Sequence, residues 1–493
     1  MIAIVSLCYV VVKLYPRFIT HRTLTCNYSA YLLSMRKISV FLFVAFSVFG
    51  FAQDKLLTIQ DAITGYHLYP KGLYDLQWLP GGEWFSQVRL TPEGNLIEVQ
   101  QIALTKGRNI TITLDDINKT LPEDSKLGRL PRANWINDNE FQFMSGDKGY
   151  AYNKEEGTTR LLAYENEVNI SSVQYFNDGL GIYGETEQGF GYSRENKSNE
   201  ISSSTEGIVI GKTVHRSEFG ISGGLFPSPS HALLAYYEMD ERMVTQYPLY
   251  KLADTPATTN MIRYPTAGAK SHHVHVKIKD LRNVSDAITI KTTGDPEQYL
   301  TNVSWSADEK YVLIALVNRA QNHMWLNKYD AKSGAFIKTL FEETNERYVE
   351  PEHAAIFLPN DPSKFIWWSE RDGYNHLYLY DIEGKLIKQL TKGEWIVTEY
   401  VGMSSDAKKL YIVGTKDSPL ERHLYAVNMK NGKMDNLTQT PGFHNITANS
   451  NCSLFIDDFS STSVPKQIRL LDGLGNLKEV IYTAENPLKD YKL

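Results

Sequence analysis

Two pairs of short segments, each recurring after 47 residues, constrain this chain more than anything else in it. HLYLYD at His376–Asp381 returns as HLYAVN at His423–Asn428, and QLT at Gln389–Thr391 returns as NLT at Asn436–Thr438. Each unit alternates apolar and polar residues in short runs broken by Gly, Asp and Asn, the pattern of strands joined by tight turns. WLNKYDAKSGAFIKTL, from Trp325, reads as a divergent third copy. A second signature recurs upstream, an aromatic or apolar strand, a turn, and an apolar strand leaving it. It is clearest in VSWSADEKYVLIAL from Val303. Weaker versions are LQWLPGGEWFSQV from Leu76, ANWINDNEFQFM from Ala133, VQYFNDGLGIYG from Val173 and LFPSPSHALLAYY from Leu225.

A four-stranded unit repeated about every 40 to 50 residues is a propeller blade. Such a sheet cannot bury both faces alone, and radial stacking on its neighbours does so. The predicted fold is therefore all-β, a β-propeller of four-stranded antiparallel sheets over residues 53–485. At this period the body holds about eight blades, with seven plus insertions as the alternative. The 30 Tyr and 8 Trp suit pleated, packed faces. Helical periodicity is scarce, and 57–65 is its best candidate. Net charge is −6 with no basic stripe, which argues against a nucleic-acid partner.

The amino terminus reads differently. Met35 opens MRKISVFLFVAFSVFGFAQ, with a basic start, an apolar run and small residues before Gln53. This is the layout of an export signal over 35–52; a membrane anchor is the alternative, but the run is short for a span. Residues 1–34 read as an over-extended gene start. The expected destination is the periplasm, the outer membrane or the medium. Cys8 and Cys26 precede the expected mature start, so Cys452 stands alone and reads as a small core residue rather than a reactive thiol.

GISGG at Gly220–Gly224 fits the G-x-S-x-G spacing of a nucleophile elbow, which would make Ser222 a nucleophile. An elbow needs a buried strand before it and a helix after it. Here His215–Phe219 is polar, and Pro227 and Pro229 forbid a helix. Ser222 is therefore expected to lie in a glycine-rich turn, and no catalytic residue is assigned. Just upstream, Glu218 in HRSEF could bind a cation such as a peptide's ammonium. From the residues alone, a solvated surface glutamate is the plainer reading. In SHHVHV, His273 and His275 share one strand face, yet no carboxylate or cysteine completes a metal site, so neither a metal nor a cofactor is expected. Trp367, Trp368, Tyr378 and Tyr380 read as fillers between blades.

Longer motifs then add weight. VHRSEFGI, AYYEMDERMVTQYPL, RYPTAGAKSHHVHVKI, TNVSWSADEKYVLIALVNRAQN, YVEPEH, RDGYNHLYLYD, LTKGEW and SPLERHLY, in this order, resemble the propeller of the dipeptidyl peptidase IV family of serine peptidases. The resemblance is strong over 208–465, weaker over 57–204, and nearest to the bacterial prolyl tripeptidyl branch. It implies an eight-bladed propeller that gates an α/β-hydrolase domain and a substrate peptide with proline near its N-terminus. It also implies that a glutamate at the position of Glu218 grips the peptide's ammonium. The residue before it is Ser217, where dipeptidyl members often carry a second glutamate, so a lone glutamate resembles the tripeptidyl branch. Family members commonly have Trp at the position of Pro227 and Arg at that of Glu238. An arginine from an early blade has no clear counterpart. The family's catalytic Ser, Asp and His belong to the hydrolase part, which would begin near 486–493. This chain alone is therefore expected to be inactive, as the substrate-anchoring half of a peptidase whose hydrolase is lost or separately encoded, with a homodimer as a further expected assembly. The alternative is a non-catalytic exported propeller that binds peptides or proteins.

Overall fold

The computed structural model describes residues 55–102, 108–283, 285–359 and 361–492. The expected signal at 35–52 and the extended start at 1–34 lie outside the described residues. Residues 70–486 form one compact unit, and 55–69 with 487–492 form another. In the small unit, Thr58 caps the helix Ile59–Thr64 in a reciprocal box with Asp61, and Lys55–Leu56 pairs in parallel with Tyr491–Lys492. The helix falls within the stretch whose periodicity suggested one.

The large unit is an eight-bladed propeller. Its sheets span 74–113, 134–165, 174–202, 208–289, 299–344, 356–389, 397–436 and 443–483, each built from consecutive strands except the fourth. The strand–turn–strand signature marks the first hairpins of blades 1 to 5, and the 47-residue repeat covers blades 6 and 7. Blade 8 carries neither. The repeat extends to hydrogen bonds: Leu377 N donates to Thr391 Oγ1 at 3.0 Å, and Leu424 N donates to Thr438 Oγ1 at 2.8 Å. The histidine that opens each HLY motif also contacts its blade's threonine, through the Thr391 hydroxyl in one blade and the Thr438 carbonyl in the next.

In most blades the middle two strands are the most buried, and in blade 5 the first strand is buried as well. In blade 5, Tyr299–Trp305 is buried throughout, whereas Phe336–Thr344 has several exposed residues. Cores form between blades because successive side chains point to opposite faces. Trp367 packs with Tyr378 and Tyr380 against blade 5, while its neighbour Trp368 packs with Leu377 and Leu379 against blade 7. Cys452 is a buried core residue between blades 7 and 8, and burial pushes its thiol up to about 11, away from reactive thiolate chemistry.

Among the described residues, no strand from one end of the large unit completes a sheet at the other. The ring closes through side chains between blades 1 and 8. Trp78 Nε1 donates to the Thr447 carbonyl at 2.9 Å, and Asn449 Nδ2 donates to that of Gly82 at 3.0 Å. Phe85, Ile456 and Ile468 fill the seam. Blade 4 is irregular in two ways. A hairpin, Gln246–Lys251 with Thr258–Arg263, is inserted between its strands Leu233–Asp240 and His273–Asp280 and forms a separate sheet. Its first strand is also divided, as described next.

Candidate functional site

The first strand of blade 4 comes in two pieces, Ile208–Ile210 and Leu225–Pro227, both paired with Leu233–Asp240. Between them residues 211–224 leave the sheet as a loop. Its neck is pinched at Tyr237, whose carbonyl accepts from Gly211 N at 2.8 Å and whose N–H donates to Gly224 O at 3.0 Å. A Cβ on Gly224 would stand 2.3 Å from Lys212 O, so only glycine fits there. The last glycine of GISGG thus serves a loop neck, not an elbow. Ser222 is exposed, a strand rather than a helix follows it, and no histidine or carboxylate bonds its hydroxyl among the described residues.

The tip of this loop has an unusual backbone. His215, Arg216, Ser217 and Phe219 all have φ between 51° and 62°, a region that costs non-glycine residues about 1 kcal/mol or more each. Surrounding contacts hold them there. His215 is 3% exposed. Its Nε2 accepts from Leu300 N at 3.1 Å, so its proton is on Nδ1, which donates to His272 Nε2 at 3.0 Å. Both rings are neutral: burial holds His215 well below the ordinary histidine value and His272 at about 4, and Arg319 adds to both shifts. Thr301 Oγ1 donates to Phe219 O at 2.9 Å, and the Phe219 ring packs edge-on against Tyr299. Arg216 lies 4.1 Å from the centre of the Tyr264 ring. Gly220, with φ +70°, meets the 350s loop so closely that a Cβ would stand 2.0 Å from Glu352 O.

Glu218 rides on this pinned tip. It is exposed, and its Oε2 accepts from Gln321 Nε2 at 2.7 Å. Gln321 in turn reaches the Tyr299 hydroxyl at 3.1 Å, which Arg319 also contacts. No cation pairs with Glu218 among the described residues. The arrangement presents a fixed, single carboxylate to any cation arriving from solvent.

The histidines of SHHVHV separate. His273 is half-buried and His275 exposed, and among the described residues no three metal-ligating side chains gather. The residue of that segment that matters is His272, which the strand-face reading passed over. Its only sequence signal was a histidine beside a strand of blade 4, whose divided first strand is interrupted by a loop carrying another. Pro227 sits in the second piece of the divided strand, and Glu238 accepts from Lys277 at 2.6 Å across the sheet.

The family model of the dipeptidyl peptidase IV N-terminal region matches residues 192–466. The chain belongs to the dipeptidyl peptidase IV family. It is 29% identical over 248 residues to the probable dipeptidyl-aminopeptidase B of Tuber melanosporum, covering 45% of this chain and 27% of that protein. With the corresponding protein of Emericella nidulans it shares 23% over 298 residues, 52% of this chain and 33% of that one. Among solved structures, one assigned as a dipeptidyl aminopeptidase IV from Bacteroides ovatus superposes with a TM-score of 0.76 at 33% identity, over 89% of this chain and 64% of that one. Porphyromonas gingivalis dipeptidyl peptidase 4 gives 0.69 at 20%, over 87% and 62%, a likeness of fold alone. The matched region is about a third or less of the curated relatives and just under two thirds of the solved chains.

Proposed function

We propose that the propeller anchors peptides by their free N-terminus, with Glu218 as the ammonium ligand. It would thereby act as the substrate-gating part of a prolyl dipeptidyl or tripeptidyl peptidase of this family. The observation that carries the reading is a carboxylate without a cation, held on a loop whose backbone strain is offset by buried contacts. A binding group fixed in advance loses little entropy when its ligand arrives. The lone glutamate, with Ser217 before it, favours release of tripeptides over dipeptides. The export signal read at 35–52 would place this binding outside the cytoplasm.

Calorimetric titration of the full chain with an Ala-Ala-Pro-containing pentapeptide tests this. The free-amine peptide is expected to bind about ten-fold more tightly than its N-acetylated form, ~1.4 kcal/mol for one charge-assisted contact. Glu218→Gln should remove that difference. Equal affinity for the two peptides in the wild-type chain would refute the assignment.

A further inference from the structure

Beside the Glu218 loop lies a pocket of about 370 Å³, between the connection from blade 5 to blade 6 and the second turn of blade 6. Its charges do not cancel. Glu342 pairs with His323 at 2.8 Å, and Glu343 pairs with Arg371 at 2.6 Å while also accepting from Trp367 Nε1 and Ser369 Oγ. Arg371 is committed to this cage, 4.4 Å from the centre of the Tyr378 ring. Among the described residues, that leaves Glu350 and Glu370 in the lining without a cation, against one guanidinium with no carboxylate partner, Arg347. Burial raises the carboxyl of Glu370, and Glu350 and Glu352 raise it further, as expected of carboxylates crowded without a counter-ion. A second observation is independent of these charges. Trp368 lines the same pocket and is 5% exposed, yet among the described residues its indole Nε1–H finds no acceptor. A buried donor without a partner is destabilising, so the site calls for a ligand that brings an acceptor as well as a cation.

A peptide residue with a basic side chain brings both, a main-chain carbonyl for the indole and an ammonium or guanidinium for the two carboxylates. The pocket also adjoins the anchoring loop, because the chain leaving it at Pro351 places Glu352 O against Gly220, two residues from Glu218. We propose that this pocket is a subsite for a lysine or arginine side chain among the first residues of the peptide whose ammonium meets Glu218. The proposal rests on the anchoring role of Glu218. It makes Glu350 and Glu370 specificity-determining, and Trp368 a donor to the peptide backbone.

The test is fluorescence titration of the full chain with four labelled pentapeptides. Arg-Ala-Pro-Gly-Gly and Ala-Arg-Pro-Gly-Gly are compared with the same peptides carrying norleucine for arginine. The expected result is roughly ten-fold tighter binding of arginine at one of the two positions. The Glu350→Gln/Glu370→Gln pair, both exposed and tolerant of exchange, should remove that advantage and leave the norleucine peptides unchanged. Glu218→Gln should weaken all four peptides alike. Trp368→Phe should weaken them several-fold without changing the arginine-to-norleucine ratio. An arginine advantage that is absent, or that survives the double exchange while Glu218→Gln still weakens binding, overturns the subsite and leaves the anchor standing. No effect of Glu218→Gln on any peptide overturns the anchor and the subsite with it.

Discussion

Acidification should loosen the loop that carries Glu218, and His272 sets the size of the effect. Its pKa is about 4 in the folded chain against an ordinary 6.5. A histidine lowered in this way contributes stability above pH 6.5 and loses it as pH falls toward 4, because the unfolded chain takes up the proton first. At about 1.4 kcal/mol per unit, lowering the pH to 5 removes about 2 kcal/mol through His272 alone. His215 acts in the same direction, since burial lowers it as well. Protonating His272 at Nε2 removes the acceptor of the bond from His215 Nδ1–H, and protonating His215 at Nε2 removes the acceptor of the bond from Leu300 N. The assay is urea unfolding of the full chain at pH 7, 6 and 5, followed by tryptophan fluorescence, beside the variant His272→Gln. Glutamine can place an acceptor near the position of Nε2 but does not titrate. The variant should therefore lose about 2 kcal/mol less than the wild type between pH 7 and pH 5. A residual slope is expected in both chains, because burial also lowers His231 and His353. Affinity for a free-amine peptide should fall with pH in the wild type more steeply than in the variant. Parallel stability profiles for the two chains would refute the neutral-pair account of the loop.

Two further perturbations test the frame around the site. Gly220→Ala forces a methyl against Glu352 O at a positive φ, so it should cost about 2 kcal/mol or more and weaken peptide binding, read from thermal unfolding and titration together. Trp78→Phe removes the indole bond to Thr447 across the seam between blades 1 and 8; a loss of about 1 kcal/mol and faster proteolysis at that seam are expected, checked by urea unfolding and limited digestion.

Much of the frame is legible in the sequence because a blade is a local object. Its strands follow one another, its turns are short, and the period-two alternation that fills the inter-blade cores can be read directly, as at Trp367 and Trp368. Blade 8 escaped because its first strand, Phe443–Ala448, reads FHNITA, where the exposed face begins with Phe443 and the buried residues are His444 and Ile446. Polar residues inside a blade blur the pattern that marks one. The loop was harder still. HRSEF looks like an ordinary polar turn, and nothing in its spacing announces a divided strand or four departures from the usual backbone region within five residues.

The sequence by itself determined the unit of construction, a four-stranded sheet of alternating side chains that must be stacked on its like, together with the family motifs and the single glutamate among them. Only the tertiary structure decided what that glutamate meets. Gln321 lies 103 residues from Glu218, His272 lies 57 from His215, and Leu300 lies 85 from it. These partners come together because neighbouring blades stack in the ring and bring the loops of blades 4, 5 and 6 against one another. Periodicity encodes which face of a strand is buried; it does not encode which distant turn will lie across from it once the ring has closed.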